Sequence, residues 1–265
     1  MNYSRLNKRK KKKSVYKWTI LSVLFIGLAL GIAYYVTTEK KAAKEEPQVN
    51  EPKEVVDKQS EPQQSLEPVV SEPVEEIQID EGGYAVTTSA VTEPTYIDGI
   101  LIANKKYPLP QDFNPGEDPE ALAAYKQMAV AALKAGYEIM AFSSFRSYEY
   151  QTTLYENYVV KDGKANADRY SARPGHSEHQ TGLAFDIGEV GREDLWLTAE
   201  FGETPAGLWL VNNAHKYGFI LRFPKGKEDV TGFMYESWHF RYLGVETATK
   251  VKASKLTLEE YLGIN

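Results

Sequence analysis

Two short stretches hold most of the side chains able to do chemistry. SEHQTGLAFD, residues 177–186, places His179 seven residues before Asp186 with Gly182 between them, and ESWHFRY, residues 236–242, carries Glu236 three residues before His239. Two imidazoles and a carboxylate around an open fourth position make a catalytic zinc arrangement. A further carboxylate within one water's reach of that position would act as general base, the part open to Glu236. Each pair also has an ordinary reading: a histidine and an aspartate this close in sequence often form only a hydrogen bond, and Glu-x-x-His recurs by chance. The chain has four histidines. His176 adjoins the first stretch, and His215 falls near the end of an expected helix, where an imidazole more often meets the helix terminus than a metal. With no cysteine in the chain, thiolate ligands, a thiolate nucleophile and disulfides are excluded.

For these residues to meet, the elements around them must aim them. As a strand, GLAFDI turns Leu183, Phe185 and Ile187 to one face and Ala184 and Asp186 to the other. Gly182 would let the chain fold back so that His179 approaches Asp186. In the second stretch Trp238, Phe240 and Tyr242 would face the core and leave His239 opposite. Glu236 would then fall on the wrong face of a regular strand, so a bend or bulge is required between it and His239. Elsewhere, Asp118 and Pro119 read as N-cap and first residue of a helix through ALAAYKQMAVAALKA, closed by Gly136. YEIMAFSSF reads as a strand, and Ser147 as the cap of a helix through YEYQTTLYENYVV. Thr204 and Pro205 open a helix ending near Gly218, before the apolar run FILRF. Thr257 and Glu260 form a capping-box pattern for a short final helix. Helices mixed with short strands over residues 96–265 predict one α+β domain.

These residues resemble a known family. SEHQTGLAFD is similar to the Ser-x-His-x-x-Gly-x-x-x-Asp signature of the VanY-type D-alanyl-D-alanine carboxypeptidases, and ESWHFRY to their Glu-x-x-Trp-His partner. The likeness extends to ILIANKKYPLPQDFNP and SSFRSYEYQ, so it covers residues 100–244. It implies a hedgehog-like fold, one Zn2+ held by His179, Asp186 and His239, Glu236 as catalytic base, and peptidoglycan stem peptides as substrate. Arg146 matches the cation that holds the substrate or steadies its developing negative charge, Gln151 lies in the same segment, and Ser177 matches a substrate-contacting serine. Relatives often carry Tyr where this chain has His176, which could reshape the pocket or offer a competing ligand. A planar guanidinium such as that of Arg146 suits a terminal carboxylate through two parallel hydrogen bonds. The expected reaction is hydrolytic release of a C-terminal D-alanine by a D,D-carboxypeptidase. An L,D-carboxypeptidase acting on tetrapeptide stems shares these motifs, as do an endopeptidase and a wall-binding module without turnover.

The N-terminal region reads differently. A basic run over residues 5–17 precedes residues 18–38, WTILSVLFIGLALGIAYYVTT, which contain no charged side chain. That is the length of a membrane-crossing helix, and the basic flank places the N-terminus in the cytoplasm. A cleaved signal peptide competes, but the apolar run is longer than its h-region and ends in Tyr-Tyr-Val rather than small residues. Residues 39–95 are acidic with recurrent Glu-Pro, a composition that favours a disordered linker. A cell-membrane protein is expected, with a cytoplasmic tail at 1–17, an anchor at 18–38, a linker at 39–95 and an extracellular, wall-facing catalytic domain at 96–265. It is expected to act as a monomer with no nucleic-acid partner.

Overall fold

A computed structural model describes residues 77–87 and 89–264. The basic tail, the apolar run at 18–38 and the linker up to residue 76 lie outside these residues. Among the described residues no helix is long and apolar enough to cross a membrane.

The folded region begins earlier than composition implies, because part of the expected linker packs on the domain. Tyr84 is buried, its hydroxyl donating to Ser171 O at 3.4 Å. Arg173 lies over its ring at 4.0 Å while pairing with Asp80 at 2.5 Å and Asp168 at 2.7 Å. One tyrosine and one aspartate in an acidic, glycine-bearing run dock it, and their partners lie about ninety residues away, so local composition could not reveal them.

A hairpin follows, β1 (Thr95–Ile97) against β2 (Ile100–Ile102). It turns at Asp98 and Gly99, both with positive φ, the tight turn that Asp-Gly favours. Helix α1 (Pro119–Lys134) starts where expected: Asp118 accepts from the Ala121 N–H at 2.8 Å, and Pro119 occupies the first turn. Then come β3 (Ile139–Ser143), α2 (Tyr148–Asp162) and α3 (Lys164–Tyr170). Ser147 caps α2 by accepting from the Tyr150 N–H. After β4 (Ala184–Glu189) come α4 (Pro205–Asn213), β5 (Phe219–Phe223), a four-residue turn α5 (Glu228–Thr231) and β6 (Glu236–Tyr242). The chain closes with α6 (Val245–Ser254) and α7 (Leu258–Leu262), the latter carrying the predicted capping box.

The central sheet is antiparallel in the order β3-β4-β6-β5. Its apolar face buries Phe185, Ile187, Phe219, Trp238 and Phe240 against Met128 and Ala132 of α1 and Leu210 of α4. The alternation of β4 and β6 therefore sends Asp186 and His239 to the opposite face, where they are direct cross-strand partners. A smaller apolar cluster joins Ile102 and Ile220 to Val251 of α6 and Leu258 of α7. The result is a mixed α/β domain with a polar, buried layer on one side of the sheet.

Candidate active site

His179 lies in a 3-10 turn, Glu178–Thr181, immediately before β4. The turn ends at Gly182, with φ of +74°, and a Cβ there would meet Gly116 O at 2.1 Å. Both the backbone conformation and the close approach demand glycine. This reversal brings His179 Nε2 to 3.2 Å from Asp186 Oδ2. On the neighbouring strand, His239 Nδ1 lies 3.3 Å from Asp186 Oδ1. The irregularity demanded for Glu236 is present: the pairing of β5 with β6 slips between Leu221 and Phe223, so that Phe223 faces Glu236. Extra β6 residues opposite this slip turn Glu236 back toward His239, and its Oε2 lies 3.5 Å from His239 Nδ1.

The donor atoms of His179, Asp186 and His239 lie within 4.8 Å of one another, and all three residues are buried. Two of these atoms, His179 Nε2 and Asp186 Oδ1, are buried without an aligned hydrogen-bond partner. His179 Nδ1 is 2.6 Å from Ser144 O. A carbonyl only accepts, so Nδ1 carries the proton and Nε2 presents its lone pair. His179 Nε2 and His239 Nδ1 approach the Asp186 carboxylate to 3.2 and 3.3 Å, on Oδ2 and Oδ1 respectively, so the three side chains converge closely enough to share an ion with bonds of about 2.0–2.1 Å. The set therefore fits zinc, with one position left for water or substrate.

Electrostatics follow from burial and proximity. Burial pushes the Glu236 carboxyl up to about 8, with His239 opposing and Asp186 reinforcing the rise. Burial also lowers His179 to about 4, helped by Arg146. At His239, burial favours the neutral ring, but contacts with Asp186 and Glu178 prevail and raise it to about 9. Asp186 resists its burial and stays far below the usual range because both imidazoles face it. A divalent cation among these atoms would be the largest local charge, displacing the proton from His239 and favouring ionised Glu236.

A cavity of about 430 Å3 opens onto the cluster, and Arg146, Gln151, Ser177, His179, Asp186, Glu236 and His239 all line it. Arg146 ends the loop before α2. Its Nη2 reaches Asp186 Oδ2 at 3.2 Å, its Nη1 donates to Gln151 Oε1 at 3.0 Å, and its buried Nε has no partner. Gln151 is in turn anchored by donating to Ala172 O at 2.6 Å. His176 also lines the cavity but turns its Nδ1 to Asn104 O at 2.9 Å and packs edge-on against Tyr84. It stands outside the His-Asp-His cluster. His215 lies in the 3-10 turn after α4 and does not line this cavity.

A family model described as VanY, D-alanyl-D-alanine carboxypeptidase, matches residues 116–245. The bifunctional D-Ala-D-Ala dipeptidase and carboxypeptidase VanXYC of Enterococcus gallinarum is 33% identical over 176 residues, covering 61% of this chain and 92% of that protein. The chain belongs to the VanY family. The putative carboxypeptidase YodJ of Bacillus subtilis is 41% identical over 181 residues, and there the match spans 61% of this chain but 66% of the relative, just under two thirds of its length. Among solved structures, the L,D-carboxypeptidase DacB of Streptococcus pneumoniae is 52% identical with a TM-score of 0.57, covering 63% of this chain and 87% of that one. The VanY D,D-pentapeptidase of the VanB-type cassette, solved with Zn(II), is 32% identical with a TM-score of 0.53, covering 61% and 97%.

The resemblance missed one layer of this VanY-family site. Glu178 Oε2 lies 3.3 Å from His239 Nε2, and Arg222 and Arg241 grip the same carboxylate. The signal in sequence was a glutamate beside the metal-competent histidine and an arginine at alternate spacing from His239. Nothing local tied them together.

Proposed function

We propose that this domain is a zinc carboxypeptidase that releases the terminal D-alanine of peptidoglycan stem peptides. The observation that carries the proposal is the convergence of two buried atoms that lack an aligned hydrogen bond, His179 Nε2 and Asp186 Oδ1, with His239 Nδ1, beside a carboxylate that is no member of the set. His179, Asp186 and His239 would hold the ion. When bound, zinc supplies a Lewis acid that polarises the scissile carbonyl and acidifies water. Glu236 takes a proton from the attacking water and returns it to the leaving amine. Its buried setting favours a basic carboxylate, and its 3.5 Å approach to His239 keeps it beside the reacting centre. Arg146 offers the free carboxylate of the substrate a planar pair of donors, Gln151 holds that guanidinium in place, and Ser177 presents a polar group on the cavity wall. If residues 18–38 anchor the chain as their composition implies, the domain would work outside the membrane.

Of the two bonds, the one after an L-centre is favoured. Structures named as L,D-carboxypeptidases share 50–52% identity with this chain, against 31–32% for the VanY structures of D,D type. This shifts the preference from pentapeptide, the first expectation from sequence, to tetrapeptide. The test is to incubate full-length protein with pentapeptide and with tetrapeptide stems separately and to measure released D-alanine by mass spectrometry. Faster release from tetrapeptide is expected. Release only from pentapeptide would return the assignment to a D,D-enzyme, and release from neither would remove the enzymatic reading in favour of a binding module.

A further inference from the structure

The face of the sheet that carries Asp186 and His239 also buries four other charges. Glu178, Arg222, Arg241 and Glu259 are each no more than 4% exposed. Arg222 Nε donates to Glu178 Oε1 at 2.7 Å, and Arg241 Nη1 donates to the same oxygen at 2.9 Å. Arg222 then forks onto Glu259 of α7, with Nη1 2.8 Å from Oε2 and Nη2 on Oε1. Arg241 Nη2 donates to Leu101 O at 2.7 Å, which ties the group to β2. Two cations and two anions balance inside the cluster. Such buried groups are a poor route to stability compared with apolar residues of the same volume, so their arrangement calls for another account.

The account lies in the one oxygen that neither arginine takes. Glu178 Oε2 faces His239 Nε2 at 3.3 Å, while His239 Nδ1 faces Asp186 and Glu236. An ionised carboxylate only accepts hydrogen bonds, so it keeps a proton on Nε2 and leaves the Nδ1 lone pair to the cluster. The arginines hold Glu178 in place on one side of the ring. Thr181 Oγ1, donating to Glu178 O at 2.5 Å, helps fix its backbone within the 3-10 turn.

We infer that Glu178 is a positioning residue that sets the orientation and tautomer of His239 as a metal ligand, and that Arg222 and Arg241, which donate to it directly, hold it there. The inference rests on the reading of His179, Asp186 and His239 as zinc ligands. The two imidazoles are then oriented by different means. His179 relies on a backbone carbonyl, Ser144 O, whereas His239 relies on a buried charge anchored by arginines 44 and 63 positions further along the chain.

The test compares two variants of the full-length protein. Glu178→Gln is expected to weaken zinc binding about 10- to 100-fold, measured by competition with a chromophoric chelator. Glu259→Gln removes the same charge from the same cluster without touching His239. It is expected to lower the melting temperature and to leave zinc affinity at the wild-type value. Unchanged affinity in Glu178→Gln, or an equal loss in both variants, would overturn the inference. Should Glu178→Gln fail to fold, the nitrogen spectrum of 15N-histidine-labelled, zinc-loaded wild type decides: a proton on His239 Nε2 supports the inference and a proton on Nδ1 refutes it. Wild-type protein that takes up no zinc removes the zinc reading and this inference together. Zinc binding by wild type with no effect of Glu178→Gln removes this inference alone.

Discussion

Glu236 and Asp186 are carboxylates on the same buried site with opposite tendencies. Asp186 faces two imidazoles and stays ionised, while Glu236, with less compensation for its burial, is pushed up to about 8. That separation suits one group to hold a cation and the other to move a proton. Replacing Glu236 with Gln keeps the shape and removes the base. We expect kcat to fall by about 10^2- to 10^4-fold with zinc affinity and KM little changed, measured by D-alanine release alongside chelator competition. Retained kcat would place the base elsewhere. At this scale the sequence was informative, because His179, Asp186, His239 and Glu236 were named from residue type and spacing, and the structure brings all four together. Glu178 was not named, because a glutamate next to a ligand histidine has no periodicity to mark it. Only the 3-10 turn sends consecutive side chains to different partners, His179 to Asp186 and Glu178 to His239.

At the scale of elements, caps and breakers were legible. Asp118, Ser147, Thr204 and Thr257 each accept from a backbone N–H at the start of the predicted helix. The hairpin at Asp98–Gly99 and helix α6 were not anticipated, although Asp-Gly between apolar residues is a recognised hairpin signal. The segment 77–87 was assigned to the linker, yet it straps onto the domain through the Asp80–Arg173 pair and the buried Tyr84. Its attachment has a pH signature. Hydrogen bonding to Arg173 lowers Asp80 from 3.8 to about 2, against a smaller opposing effect of burial. A depressed folded-state pKa means that the stabilisation is present above about pH 4 and is lost as pH falls toward 2. Ala85 N–H, which donates to Lys105 O at 2.9 Å, should therefore lose hydrogen-exchange protection over that interval before the amides of β6 do. Asp80→Asn should show low protection at Ala85 already at pH 6. Equal protection in the variant and wild type would mean that Tyr84 alone docks the strap.

At the scale of the whole molecule, the polar face of the sheet gathers charge from distant parts of the chain: Arg146 before α2, Asp186 on β4, His239 on β6 and, through Arg222, Glu259 on α7. An ion that binds only the folded state stabilises it by mass action, by about 2.7 kcal/mol when free ligand is 100 times Kd. Full-length protein treated with a chelator and dialysed should melt at a lower temperature than the same sample after zinc is restored. Activity should return with the melting temperature. Identical melting curves with and without zinc would argue that the His-Asp-His cluster holds no ion.

The sequence by itself determined the local features: which residues can ligate, where helices begin, which strand face is apolar, and that Glu236 needed a break in β6 to join His239. These are set by side-chain chemistry and by periods of two and 3.6 residues, all within a few positions. Tertiary structure alone decided the form of that break, a pairing slip against β5 between Leu221 and Phe223. It alone docked residues 77–87 and turned His176 toward Asn104 rather than the cluster. It also joined Glu178 to Arg222, Arg241 and Glu259. These depend on partners from 13 to 93 residues apart, and a buried charge shows its purpose only when the groups that compensate it have been brought beside it.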